Sequence, residues 1–489
     1  MTESNPSYQN KWLILLAIGM GVFLATIDGG IVNIGLNTLV KDLGKPLAVT
    51  EWVVLAYMLT ISSLMLSIGR LGDMIGKKSL YIAGLVIFTL GSVLCGLSGT
   101  IYWLIAFRVL QAVGASIIMA LGTAMITEAF PDRERGKALG IMGTLVSIGI
   151  IAGPTIGGLI LERLSWHWLF FVNLPVGIIG VIMVKRYAPV NHPGLKQRFD
   201  FKGAILMLAT LSSLLFALSR VQSNGLRDPL IPILLVLFII GLVIFIRVEK
   251  RTAEPMIDLS IFRNRMFSVN LVTGFLTFVV GAGTMILFPL YLQNVLQFGP
   301  QQSGLMMAIT PLTVALVAPF SGALSDRVSS RVITALGLGV MLIGHSLVST
   351  LSADTGVLGY LLRFIPVGIG IGLFQAPNNS AIMGSAPRER SGVASSLLSL
   401  TRTVGQTTGI ALLGAFWERR VTALTGGMEF QSVIMAPVQA QVGGLRQTMY
   451  LVIAIVVSAL ALSLWALSAW LRGRRADDGK AVGINSSHV

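Results

Sequence analysis

Apolar residues in this chain gather into runs that repeat along its length. Fourteen can be marked, beginning near Trp12, Val49, Leu80, Ile101, Lys137, His167, Phe201, Pro229, Phe267, Ser303, Val332, Val357, Gly392 and Met449. Each spans roughly 20 residues, enough for an α-helix to cross the hydrocarbon core of a bilayer. No water reaches backbone groups there, so each N–H and C=O must bond within its own segment, and helices are expected throughout. The first run is too long for the apolar region of a cleavable leader and lacks a small-residue cleavage site. It is expected to remain as the first helix.

Composition agrees with that pattern. Hydrophobic residues make up 54% of the chain and charged residues 12%, too little polar surface for a water-facing shell. The 54 glycines suit helices that pack closely in lipid. A formal net charge of +15 would suit a nucleic-acid binder, but its placement points to the bilayer as partner. About 25 of the 36 Lys and Arg fall in alternate loops and the ends of the chain, among them Arg70, Lys77, Lys78, Arg133, Arg135, Arg327, Arg331, Arg388 and Arg390. By the positive-inside rule that set is cytoplasmic. Both termini then lie inside an inner cell membrane, which requires an even number of spans. One cysteine, Cys95, excludes a disulfide within the chain.

The chain is also written twice. The segment Gly69–Lys78, with Gly69, Asp73, Gly76 and Lys77, returns as Gly322–Arg331 with Asp326. Arg108 returns as Arg363 and Arg133 as Arg388, both at an offset of 255 (363 − 108 and 388 − 133). Duplicated halves around a central site are how many transporters are built. The expected organisation is a six-helix half at 1–187, a two-helix insert with its linkers at 188–265, a second six-helix half at 266–475 and a tail at 476–489. A long outer loop is expected at 417–447.

These residues resemble the major facilitator superfamily, and within it the fourteen-helix drug:proton antiporters. The segment at 69–78 is similar to the signature G-x-L-x-D-x-x-G-[RK]-[RK]. Asp28 to Asn33 resembles the family's first-helix motif, and Arg108 to Gln111 fits R-x-x-Q in the fourth helix. Gly149, Gly153, Pro154, Gly157 and Gly158 fit the antiporter signature G-x-x-x-G-P-x-x-G-G. Trp168 to Gly177, including Asn173, fits the sixth helix. Gly30 stands where the family usually has Thr. The resemblance implies an all-α polytopic membrane protein with the major facilitator fold, two six-helix halves and two inserted helices, exchanging a substrate for protons by alternating access. No cofactor beyond the proton gradient is implied, and a monomer is expected.

Asp28 is the candidate proton carrier. It sits deep in the first run, burial makes a carboxyl group easier to protonate, and an ionisable residue at membrane depth marks function by default. Arg108 keeps its charge when buried, so it can bias a carboxylate but not carry the proton. Its role in proton movement rests on the resemblance, and a hydrogen-bonding strut is the alternative. Pro154 and its glycines are expected to bend and pack the fifth helix as a seal. Asp73 and Asp326 can cap a helix or pair with cations such as Arg133 or Arg388 and so hold an inner gate.

For the substrate, candidates are Asn33, Tyr57, Gln111, Met119, Arg363, Phe374, Asn378, Arg402 and Gln406. Ser395, Ser399, Arg402 and Gln406 form a polar stripe that should face the interior. His345 reads as interfacial. Phe278, Met285, Phe288 and Met307 are among residues that could line an adaptable apolar cavity.

The chain lacks a phosphate-binding loop, a metal-ligand cluster and a nucleophile–base pair, which speaks against ATP-driven transport, a metal site and an enzyme. The leading expectation is a proton-driven exporter of amphipathic compounds, of the multidrug-efflux type. Export or flipping of a lipid or glycolipid made by the same cell is the second, because one buried carboxylate stands against Arg108, Arg363 and Arg402. A sensor on the same scaffold is the third, and it has no use for a proton cycle.

Overall fold

A computed structural model describes residues 10–45, 47–50, 52–189, 200–224, 228–252, 255, 257, 259–387, 390–426 and 436–485. Long helices dominate. In chain order they are α1 (Lys11–Leu43), α2 (Trp52–Ile75), α3 (Lys77–Gly96), α4 (Ile101–Ala129), α5 (Arg135–Arg163) and α6 (Asn173–Tyr187). Next come α7 (Phe201–Asn224) and α8 (Leu230–Glu249). The last six are α9 (Arg265–Leu290), α10 (Pro300–Arg327), α11 (Ser330–Val348), α12 (Val357–Ser385), α13 (Ser391–Leu424) and α14 (Val438–Asn485).

Twelve helices among the described residues are long and apolar enough to cross a membrane, against the fourteen expected. The two outside that count are α5, rich in glycine, and α13, which carries the polar stripe. Both pack against helices of both halves.

Local chemistry sets the ends. Asn264 caps α9, its side chain accepting from the N–H groups of Met266 and Phe267, and Thr100 caps α4 through the Trp103 N–H. α1 stops at Gly44, which takes a left-handed φ of 59°. The turn from α2 into α3 needs Gly76, whose φ is 99°, a region that L side chains avoid.

α1 to α6 pack together, as do α9 to α14. The halves meet along two seams, α2 with α13 and α5 with α10. The inserted α7 and α8 pack on each other, and α7 lies against both α2 and α13, where Ser212 and Ser63 exchange a hydrogen bond of 3.0 Å. Prolines interrupt the second half at Pro289, Pro311, Pro319, Pro366 and Pro377. A π-turn at Tyr291–Val295 follows the first of them.

The expected outer loop 417–447 is mostly helix, because α13 runs to Leu424 and α14 begins at Val438, not near Met449. The extra turns bury Trp417, Val421, Ala440 and Leu445 in the core of the second half. The Trp417 indole donates to the Gln441 carbonyl at 3.4 Å. Residues 427–435 of that loop lie outside the described residues.

Candidate functional site

Asp28 is fully buried and paired. Arg108 Nη1 reaches its Oδ2 at 2.6 Å. Gln111 Nε2 and Asn173 Nδ2 donate to its Oδ1 at 2.8 and 2.9 Å. Arg108 is held in turn by the Val53 carbonyl at 3.0 Å and Gln111 Oε1 at 2.7 Å. The Tyr57 ring lies under its guanidinium at 3.9 Å. Ser92 accepts from Gln111 at 2.6 Å and from Asn173 at 3.2 Å. Five helices of the first half thereby meet at one carboxylate. Such a pair is costly to desolvate, and removing either partner strands a buried charge.

The small residues around Asp28 leave no room for substrate in this conformation. Gly21 faces the Tyr81 hydroxyl and Gly35 faces Leu169. Gly149, Gly153 and Gly157 bring α5 onto α1. A Cβ on Gly153 would stand 3.1 Å from the Ile27 carbonyl oxygen, and one on Gly157 2.9 Å from the Ile31 side chain. The glycine motif thus fixes the backbone on both sides of Asp28. Gly158 faces open space and has no part in that contact. The side chains of Pro154 and Asn33 lie outside the described residues.

The cavity lies elsewhere, in the second half. It encloses about 210 Å³ among α9 to α13, with Val146, Ser147 and Ile150 of α5 as its far wall. Phe374, Asn378, Arg402 and Gln406 line it, together with Phe278, Phe288 and Met307. A smaller space of about 40 Å³ adjoins Arg402 and is bounded by Met119, Ser399, Gln375 and Asn379.

Three expected substrate residues are placed otherwise. Tyr57 and Gln111 belong to the Asp28 cluster, because the guanidinium needs a ring face and an acceptor. Arg363 braces the end of α12, donating to Thr350 Oγ1 at 3.0 Å and the Gly359 carbonyl at 2.8 Å. His345, expected at the interface, is buried and lines the cavity. Its Nδ1 sits 2.9 Å from the Met341 carbonyl oxygen.

The repeated aspartates clasp the two halves at their basic end. Asp73 of α2 accepts from the N–H groups of Gly392 and Val393 at 2.9 and 3.1 Å, at the start of α13. Asp326 of α10 accepts from those of Gly136 and Lys137 at 2.8 and 3.0 Å, at the start of α5. Each carboxylate meets the positive end of a helix in the opposite half. Glycine lets the backbones touch: a Cβ on Gly69 or Gly392 would strike the other's carbonyl, and Gly136 and Gly322 stand in the same relation.

Among the described residues Arg133 makes no ion pair with Asp73 or Asp326. Arg133 is exposed, and Arg388 lies outside the described residues. Lys77 takes the place, one turn along and already buried, 2.7 Å from Asp73 and 3.0 Å from Glu128. Glu128 also accepts from the Ser391 hydroxyl.

Sequence reasoning passed over the roles of Ser92, Glu128, Gly136, Asn379 and Gln375. Asn173 stood in a motif with no task assigned to it. Asn379 carried a faint signal, a second polar residue beside Asn378 in an apolar run.

A model described as Major Facilitator Superfamily matches residues 18–410. The riboflavin transporter RibZ of Clostridioides difficile is 35% identical over 420 residues, covering 85% of this chain and 90% of RibZ. The multidrug resistance protein Stp of Mycobacterium tuberculosis is 31% identical over 439 residues, 89% of this chain and 81% of Stp. Among solved structures, the proton:xylose symporter XylE superposes with a TM-score of 0.64 at 11% identity, covering 94% of this chain and 96% of XylE. That likeness concerns the fold, an all-helical membrane protein of the major facilitator type.

Proposed function

Because the chain belongs to the major facilitator superfamily, a family of transporters and not of enzymes, we propose that it exports amphipathic compounds in exchange for protons. The observation that carries this reading is the sealed cluster at Asp28. An ionised carboxylate only accepts hydrogen bonds, whereas a protonated one also donates. Protonation would leave Arg108, Gln111 and Asn173 with one acceptor oxygen fewer and no ion pair. The five helices that meet there would then change their preferred arrangement. A proton and a substrate bias the transporter only by their differential affinity for its two states.

The basic end is taken as cytoplasmic, with both termini there and all fourteen long helices crossing an inner membrane. On that assignment the clasps at Asp73 and Asp326 shut the cytoplasmic side, and the cavity belongs to an outward-facing or occluded state. The halves are taken as 1–187 and 266–475, joined by 188–265, in a monomer. The relatives range from riboflavin transport to multidrug resistance, so family membership leaves the substrate open.

In proteoliposomes, adding amphiphile should drive proton movement in the wild type, and Asp28→Asn should abolish that movement while downhill exchange of the same amphiphile persists. Proton movement that survives Asp28→Asn would sink the assignment. Export of an endogenous lipid or glycolipid is a second reading, favoured by a cavity wall whose charge is Arg402 with no carboxylate. Loss of a surface lipid from cells lacking the protein, with unchanged drug sensitivity, would support it.

A further inference from the structure

Arg402 differs from the partnered arginines Arg108 and Arg363. Arg108 has a carboxylate, two oxygen partners and a ring beneath it. Arg402 stands where two cavities meet, yet among the described residues it makes no hydrogen bond or ion pair. No Asp or Glu lines either cavity. Asp28, the carboxylate at membrane depth, is spent on Arg108. Around Arg402 stand the carboxamides of Gln375, Asn379 and Gln406, which can donate N–H groups to the same guest. Beyond them the wall turns aromatic, with Phe278, Phe288, Phe364 and Phe374.

Arg402 is half-buried, and its guanidinium, without a protein partner among the described residues, can meet a planar oxyanion with two parallel hydrogen bonds from its fork. We propose that Arg402 is the specificity-determining residue of the cavity and that the transported amphiphile carries one anionic head, a carboxylate, sulfonate or phosphate, on a compact aromatic or single-chain body. The inference rests on the transport reading above and names its substrate class. A cavity of about 210 Å³ suits a fused two-ring body and excludes a lipid with two full acyl chains.

Equilibrium dialysis on the detergent-purified full chain tests this, with naphthalenesulfonate and its cationic counterpart, trimethylnaphthylammonium, as probes. The wild type should bind the sulfonate and discriminate against the ammonium. Arg402→Gln should weaken sulfonate binding by about 10-fold or more, the scale of one lost charge-assisted hydrogen bond. Arg402→Lys should retain part of it. Arg402→Glu should reverse the preference toward the ammonium, a gain that a misfolded protein cannot show. Competition by lysophosphatidate, compared with lysophosphatidylcholine, tells whether a lipid headgroup or a soluble anion is the better occupant. Unchanged sulfonate affinity in Arg402→Gln, or a wild type that prefers the ammonium, overturns the proposal. Dialysis needs no proton gradient, so failure of antiport leaves this result standing, and failure here leaves the Asp28→Asn result standing.

Discussion

The two clasps share a plan and differ in depth. In both, a carboxylate from one half caps a helix of the other, and two glycines let the backbones meet. The α2–α13 clasp is then reinforced: the Asp73 side chain is 2% exposed, Lys77 bridges it to Glu128, and Glu128 holds Ser391. At the α10–α5 clasp Asp326 is half-buried, and Ser330 stands in the position of Lys77. The repeated backbone geometry thus builds two similar contacts, and side chains present in only one make them unequal. A gate built this way should part first at the weaker seam.

A Val146→Cys reporter in the cavity wall, labelled by an impermeant maleimide from the cytoplasmic side, can measure the inequality. The largest effect is expected from Asp73→Ala, which breaks a buried pair and two caps and should cost the closed state about 3 kcal/mol. Asp326→Ala, in a wetter site, should cost about 1–2 kcal/mol. Equal labelling rates for the two variants would contradict unequal clasps. Gly392→Val and Gly136→Val fall in the same range, each costing about 1–3 kcal/mol by overpacking. Here the two seams should respond alike, since the backbone contacts are alike. The smallest effect belongs to Glu128→Gln, about 0.5–1 kcal/mol, which should bring the stronger clasp toward the weaker. If it leaves the labelling rate of the α2–α13 seam unchanged, the reinforcement is not electrostatic.

Where residues carry their own signal, the sequence was readable. Apolar runs announce helices, and the observed starts fall within a few residues of those expected at Ile101, Phe201 and Val357. A charge in such a run is costly, so Asp28 and Arg108 stand out, and the structure joins them at 2.6 Å. Ser92 and Asn173 give no such signal, because neutral polar residues are common in membrane helices and only the fold brings these two to one carboxylate. Gly136 and Gly392 are hidden among 54 glycines, since their importance lies in what the opposite half places against them. Tyr57 reads two ways in the sequence, because an aromatic facing inward suits a substrate wall and the underside of a guanidinium equally well. The α13–α14 ends were misplaced because polar residues at 418 to 425 mimic a loop, while Trp417 and Val421 anchor them as helix.

The inserted pair has a consequence for traffic with the surrounding lipid. α7 lies across the α2–α13 seam, so that joint is shuttered from the bilayer on its flank. Among the described residues neither inserted helix makes a comparable contact with α5 or α10. An amphiphile dissolved in the leaflet would therefore have one side door instead of two, and that door opens beside the shallower clasp.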